Sequence, residues 1–291
     1  MEAQERRIAE LERRLGLNGG FHSFFRSFIC MRRWLPELIA LPLLPLLLAQ
    51  GRRTRRRTPR LPAAVAPYAG IVGAHHALPP LTLLALGEST VAGVGVTTHE
   101  EAITGQLARA LSARLARPVS WRACGKNGAT VRTGLERLML QVPEQPVDIV
   151  LVAFGVNDTT AFHSVSRWRA DLRALLQALE TRCRPGLVLL SGVPPIAEFP
   201  ALPQPLRWVM GLKAQALDRA AHALAARLPH THHVPFALMP RDHGMMAADG
   251  YHPSGAGCAA WAELLAGAGA PFLAGSWSGP ARTAYALRAL G

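Results

Sequence analysis

Lysine is nearly missing from this chain: of 32 basic residues only Lys126 and Lys213 are lysines, and the rest are arginine. Acidic residues are also few, 19 in 291 positions, which leaves a formal net charge of +13. An excess of that size suggests a nucleic-acid partner until it is located. Residues 1–60 hold 13 Arg against 5 Glu, and the other 231 positions carry only +5. No basic stripe with interleaved aromatics occurs in the main domain, so no nucleic-acid partner is expected. Cysteine is scarce too. Cys30, Cys124, Cys183 and Cys258 lie far apart, with no Cys-x-x-Cys pair and no His/Cys cluster at metal spacing. That argues against a disulfide framework and a structural metal, and makes Cys124 and Cys183, which flank expected strands, small buried hydrophobes. No internal repeat is visible.

A long uninterrupted apolar run is lacking as well. The most apolar stretch, residues 35–49, is 15 residues long and contains Pro36, Glu37, Pro42 and Pro45. A spanning helix wants about 20 apolar residues. The stretch lacks a convincing small-x-small cleavage site, and five arginines between Arg52 and Arg57 follow at once. Such a cluster resists translocation and favours keeping the downstream chain in the cytoplasm. The expectation is an in-plane or re-entrant anchor over residues 31–57, on the inner face of the membrane. The alternative is a hydrophobic arm packed on its own domain. Residues 1–15 place Ile8, Leu11 and Leu15 on one face of a short amphipathic helix, residues 16–30 fit no template, and Met31-Arg32-Arg33 is compatible with a start site.

What is present begins at residue 61. Residues 61–80, rich in Pro, Ala and Gly, read as a linker. From 81 to 270 apolar runs alternate with helical patterns, and 271–291 remain as a tail. Strands are expected at 81–86, 119–123, 148–154, 187–192 and 232–237, with helices at about 100–116, 131–141, 166–182, 206–228 and 255–268. Alternation of this kind gives parallel βαβ units. The fold class is therefore α/β, a three-layer α/β/α flavodoxin-like sandwich on a five-stranded parallel sheet.

In such a sheet the loops after successive strands open onto one edge, where ligands bind. Residues 81–95 read LTLLALGESTVAGVG, an apolar run cut by Gly87 and followed by Glu88 and Ser89. Ser89 is either a nucleophile or a helix N-cap. After the last strand Asp249 and His252 stand three apart in a Gly/Pro loop. The carboxylate can fix one ring nitrogen while the other faces Ser89, because a serine needs an oriented base; alternatively Asp249 caps the helix near Ser254 and His252 is merely exposed. Acyl transfer also needs donors for an oxyanion. The N–H groups of Ser89 and Gly128 and the amide of Asn157 can supply them, although Gly128 also fits a helix start and Asn157 an Asx turn. The group His230, His232 and His233 has no carboxylate at metal spacing and reads as a polar strand edge.

Four blocks in order carry a resemblance: Gly87-Glu88-Ser89 with Gly93, Asn127-Gly128-Ala129-Thr130, Gly155-Val156-Asn157-Asp158 and Asp249-Gly250-Tyr251-His252-Pro253. Over about residues 81–268 the chain resembles the SGNH (GDSL-type) hydrolase family. The resemblance implies Ser89 as nucleophile, His252 as base, Asp249 as its orienter, Ser89, Gly128 and Asn157 as oxyanion donors, and neither metal nor cofactor. Glu88 replaces the usual Asp before the serine and Thr90 the following Leu; the longer arm of Glu88 is expected to bond the local backbone. The family pattern does not reach residues 1–80.

The expected reaction is hydrolysis of carboxylic acyl esters through an acyl-enzyme. Residues 193–208 carry Ile196, Phe199, Leu202, Leu206 and Trp208 and are expected to wall an acyl pocket, which favours lipid-type esters. Sugar O-acetyl esters are the close alternative, and a non-catalytic membrane-tethered binding domain is the reading from another class.

Overall fold

A computed structural model describes residues 20–238 and 244–274, with residues 20–34 given by backbone alone. The expected helix over residues 1–15 and most of the tail lie outside the described residues.

Strand β2 (Leu81–Gly87) sits in the middle of the sheet because both of its faces are covered. Leu81, Leu83 and Ala85 enter one apolar cluster, and Leu84 and Leu86 enter the other. β4 (Ile149–Ala153) divides in the same way, Ile149 and Leu151 from Val150 and Val152. Alternate side chains point to opposite faces, so a strand buried on both reads as an unbroken apolar run. β3 (Val119–Gly125) and β4 flank β2, and β5 (Leu187–Ser191) and β6 (Thr231–Val234) extend the sheet beyond β4, all parallel. One layer of helices comprises α2 (Ile103–Leu115) and α5 (Gly255–Leu273); the other comprises α3 (Val165–Cys183) and α4 (Leu206–Ala225).

The three-layer α/β sandwich is as expected, but the sheet has six strands rather than five, in the order β1-β3-β2-β4-β5-β6. The extra strand, β1 (Ala69–Val72), lies within the stretch read as a linker and pairs antiparallel with β3 at the sheet edge. It is four residues long, alternately exposed and half-buried, so it lacks the apolar run that marks the interior strands. The helix expected at 131–141 is broken into Val131–Thr133, a π turn at Gly134–Leu138 and a 3₁₀ turn at Met139–Gln141. Cys124, Cys183 and Cys258 are free and buried.

The N-terminal helix α1 (Gly20–Arg57) runs through Pro36, Pro42 and Pro45, and it covers residues that fit no template in the sequence. Each proline removes a helical hydrogen bond. The helix is supported by packing instead. Pro36, Ala40 and Leu47 are buried, with Ile39 and Leu43 half-buried against the same cluster. Glu37 forms an ion pair with Lys213, which is fully buried on α4. Gln50 donates to the Gln204 carbonyl at 2.7 Å and accepts from the Leu206 N–H at 3.1 Å. One stripe of the expected anchor is thus packed on its own domain.

Candidate active site

Ser89 follows β2 in a turn, not at a helix start. The Val94 N–H donates to the Ser89 carbonyl at 2.9 Å, and the next described helix is α2, fourteen residues later at Ile103. The N-cap alternative therefore has no helix to cap. The turn is tight because glycines permit it: a Cβ on Gly87 would lie 2.5 Å from the Ala153 carbonyl oxygen, and one on Gly125 would lie 2.2 Å from the Ala92 nitrogen. Ser89 is 7% exposed, at the wall of a cleft.

His252 lines the same cleft. Its Nδ1 lies 2.6 Å from Asp249 Oδ2, and Asp249 Oδ1 accepts from the N–H groups of Tyr251 and His252 at 2.9 and 3.0 Å. Burial pushes the Asp249 carboxyl up, but the His252 hydrogen bond and the two backbone N–H groups outweigh it and hold its pKa below the ordinary carboxylate value. An ionised carboxylate only accepts, so Nδ1 is the donor and Nε2 of a neutral ring is left as an acceptor. Asp249 does not cap α5: Ser254 does so itself, accepting from the Gly257 N–H at 3.1 Å.

Gly128 lies in a turn at φ +77°, and a Cβ there would meet nothing within 4 Å. The carbonyl-side neighbour Ala129 is buried, and Thr130 caps the short helix after it by accepting from the Thr133 N–H at 3.3 Å. Asn157 stands in the helical turn Val156–Thr160 after β4. Its amide donates to Glu88 Oε2 at 2.6 Å and to the Ala129 carbonyl at 3.1 Å. Both amide hydrogens are therefore engaged, and an incoming oxygen would have to share one.

Glu88 behaves otherwise than expected. It does not bond the local backbone but reaches across the sheet edge, accepting from the N–H groups of Val156 and Asn157 at 3.0 and 2.9 Å as well as from the Asn157 amide. Its burial raises its pKa to about 7, against the lowering effect of those N–H groups. The Glu88 carboxylate thereby ties the loop after β2 to that after β4, and the Asn157 amide extends the tie to Ala129 in the loop after β3. A second tie, also not read from the sequence, is Asp158. It is wholly buried, accepts from the Val131 N–H at 3.0 Å and pairs with His163 Nδ1 at 2.9 Å.

The cleft walls are mostly apolar: Phe199, Phe236, Leu238, Met245, Met246 and Trp261. Of the residues expected to form an acyl pocket, Phe199 faces the cleft and stacks edge-on against Tyr251, with ring centroids 5.3 Å apart. Ile196, Leu202 and Leu206 are core residues, and Trp208 is exposed. Phe236 and Leu238, after β6, and Trp261, on α5, were not read from the sequence as wall residues because each fits an ordinary core position. The histidines of β6 have structural partners, with His233 Nε2 2.9 Å from Asp218 on α4 and His232 stacked on Phe272.

Residues 85–260 match the model of the GDSL-like lipase/acylhydrolase family. A GDSL-like esterase of Mycobacterium tuberculosis is 29% identical over 192 residues, a match that covers 63% of this chain and 60% of that protein. The crystal structure of TesA superposes with a TM-score of 0.51 at 26% identity, covering 66% of this chain and 99% of that one. A carbohydrate esterase family 2 enzyme with its carbohydrate-binding domain, from Corynascus thermopiles (Myceliophthora fergusii), gives a TM-score of 0.51 at 16% identity, covering 67% of each chain, and so shows the fold alone. With its match to the family model across the whole sheet edge just described, the chain belongs to the GDSL-like lipase/acylhydrolase family.

Proposed function

We propose that the protein is a serine esterase that hydrolyses carboxylic esters of apolar acyl groups. The observation that carries the reading is that Ser89 and His252 wall one cleft while Asp249 holds the far side of the imidazole. His252 Nε2 takes the Ser89 proton as Oγ attacks the ester carbonyl. The anion that forms is met by the N–H groups of Ser89 and Gly128; among the described residues no backbone hydrogen bond takes either of them. The Asn157 amide shares one of its hydrogens with the same oxygen. Collapse expels the alcohol, protonated by His252, and leaves an acyl-Ser89 ester. Water, deprotonated by His252, then attacks that ester and restores the serine.

The apolar cleft walls favour an acyl chain over an acetyl group, since apolar side chains gain by covering apolar surface. The Mycobacterium tuberculosis relative is named an esterase, which agrees with the reaction class. A series of p-nitrophenyl esters of increasing chain length tests the substrate. Turnover that rises with chain length and vanishes in Ser89→Ala supports the proposal, as does an alkyl phosphonate adduct on Ser89 seen by mass spectrometry. Turnover confined to acetyl esters would move the assignment to sugar O-acetyl groups, and no turnover with no adduct would leave a binding domain.

A further inference from the structure

We propose that the outward face of α1 seats the protein lengthwise on an anionic lipid bilayer. The inference goes beyond ester hydrolysis and does not depend on it. The stripe through Pro36, Ala40, Leu43, Leu47 and Gln50 is used up by the domain. At 100° per residue, Leu38, Leu41 and Leu48 occupy the opposite face, with Leu35, Leu44 and Leu46 on its shoulders. All six are exposed, Leu41 by 71%. An amphipathic surface helix would present polar residues there; this one presents leucine.

The apolar face runs directly into charge. Arg52, Arg53, Arg56 and Arg57 are all exposed at the end of the helix, and among the described residues no ion pair with a carboxylate engages them. Leucines that enter the acyl boundary beside arginines at headgroup depth match an anionic membrane surface, as neither neutral lipid nor a purely apolar partner would. By length and composition Leu35–Arg57 could also cross a membrane. Its lengthwise packing opposes that: the docked stretch from Pro36 to Gln50 spans about 21 Å at 1.5 Å per residue. A crossing helix would drag the flank of α4 and the Glu37–Lys213 pair into hydrocarbon. Lying in the plane leaves both in the domain.

Flotation of the full chain with phosphatidylcholine vesicles, with and without phosphatidylglycerol, tests the proposal. The chain should partition to the anionic vesicles. The quadruple variant Arg52→Gln, Arg53→Gln, Arg56→Gln, Arg57→Gln should lose at least about tenfold in partition and most of its salt dependence. The triple variant Leu38→Gln, Leu41→Gln, Leu48→Gln should bind less while melting at the wild-type temperature, because the three side chains touch no core. Ser89→Ala should float like wild type, which separates this test from the esterase reading. Variants that float as well as wild type would overturn the proposal. So would a chain that resists alkaline extraction as a spanning protein does, or a lipid-free dimer that the leucine variant abolishes.

Discussion

Three Asp–His pairs lie among the described residues, and two of them, on the loops at the carboxyl edge of the sheet, differ in what surrounds them. Asp249 and His252 sit in one loop, with the histidine facing the cleft and the carboxyl held below its ordinary pKa. Asp158 and His163 are as close, 2.9 Å against 2.6 Å, and their histidine side chains are similarly covered, 13% and 15% exposed. Yet burial pushes Asp158 above the ordinary value even though His163 and the Val131 N–H oppose it, and His163 is not among the residues lining the cleft. Proximity of a carboxylate to an imidazole is thus common to both. What distinguishes the first pair is the serine sharing its cleft, and the second pair reads as a brace that fixes the start of the helical segment at Val131 to the turn after β4.

The sharpest way to break the comparison is to remove each imidazole. His252→Ala should lower kcat for an acyl ester by on the order of 10⁶, as loss of a triad base does, whereas His163→Ala should leave the pH profile of turnover unmoved; steady-state kinetics across pH decides. Next in size, Asp249→Asn should cost about 10⁴ in kcat through loss of the donor tautomer at Nδ1, with little change in KM. Asn157→Ala should come after it, at about 2.7–4 kcal/mol of transition-state stabilisation if its amide shares a hydrogen with the oxyanion. An unchanged kcat would make that residue a brace like Asp158. On the stability side, His163→Ala should cost about 3 kcal/mol in urea denaturation, because it strips the partner from a buried carboxylate.

Glu88 supplies an effect of similar size, with its own dependence on pH. Its folded pKa, about 7, exceeds the value of 4.5 it has when free. The folded state therefore holds the proton more tightly, and this contribution is complete below pH 4.5 and is lost as pH rises to 7. Relative to Glu88→Gln, the wild type should lose on the order of 3 kcal/mol of stability over that window, measured by denaturation at several pH values. A flat difference would mean that the three N–H donors keep the carboxylate ionised throughout.

Much of the interior was legible from sequence because burial on both faces writes itself as an apolar run, as in β2, β4 and β5. β1 was not, since an edge strand of Ala69–Val72 needs only one covered face and four residues. Nor was the continuity of α1: Pro36, Pro42 and Pro45 are local breakers, and only the packing on α4 shows why the helix persists. At the cleft, order and spacing placed Ser89, Asn157, Asp249 and His252 on one edge. They could not reveal that Glu88 reaches a partner sixty-nine positions away, because its choice between near and distant N–H groups is set by how the loops pack. The same holds for Trp261, which belongs to the core between α5 and the sheet and also lines the cleft.

The placement of His252 just before α5 has a consequence for how the molecule is made. During synthesis Ser89 and strands β2 to β6 leave the ribosome well ahead of the loop that carries Asp249 and His252, so the nascent domain holds the hydroxyl without the imidazole that shares its cleft. The cleft therefore gains its imidazole, and the Trp261 wall behind it, only once the chain through α5 has emerged.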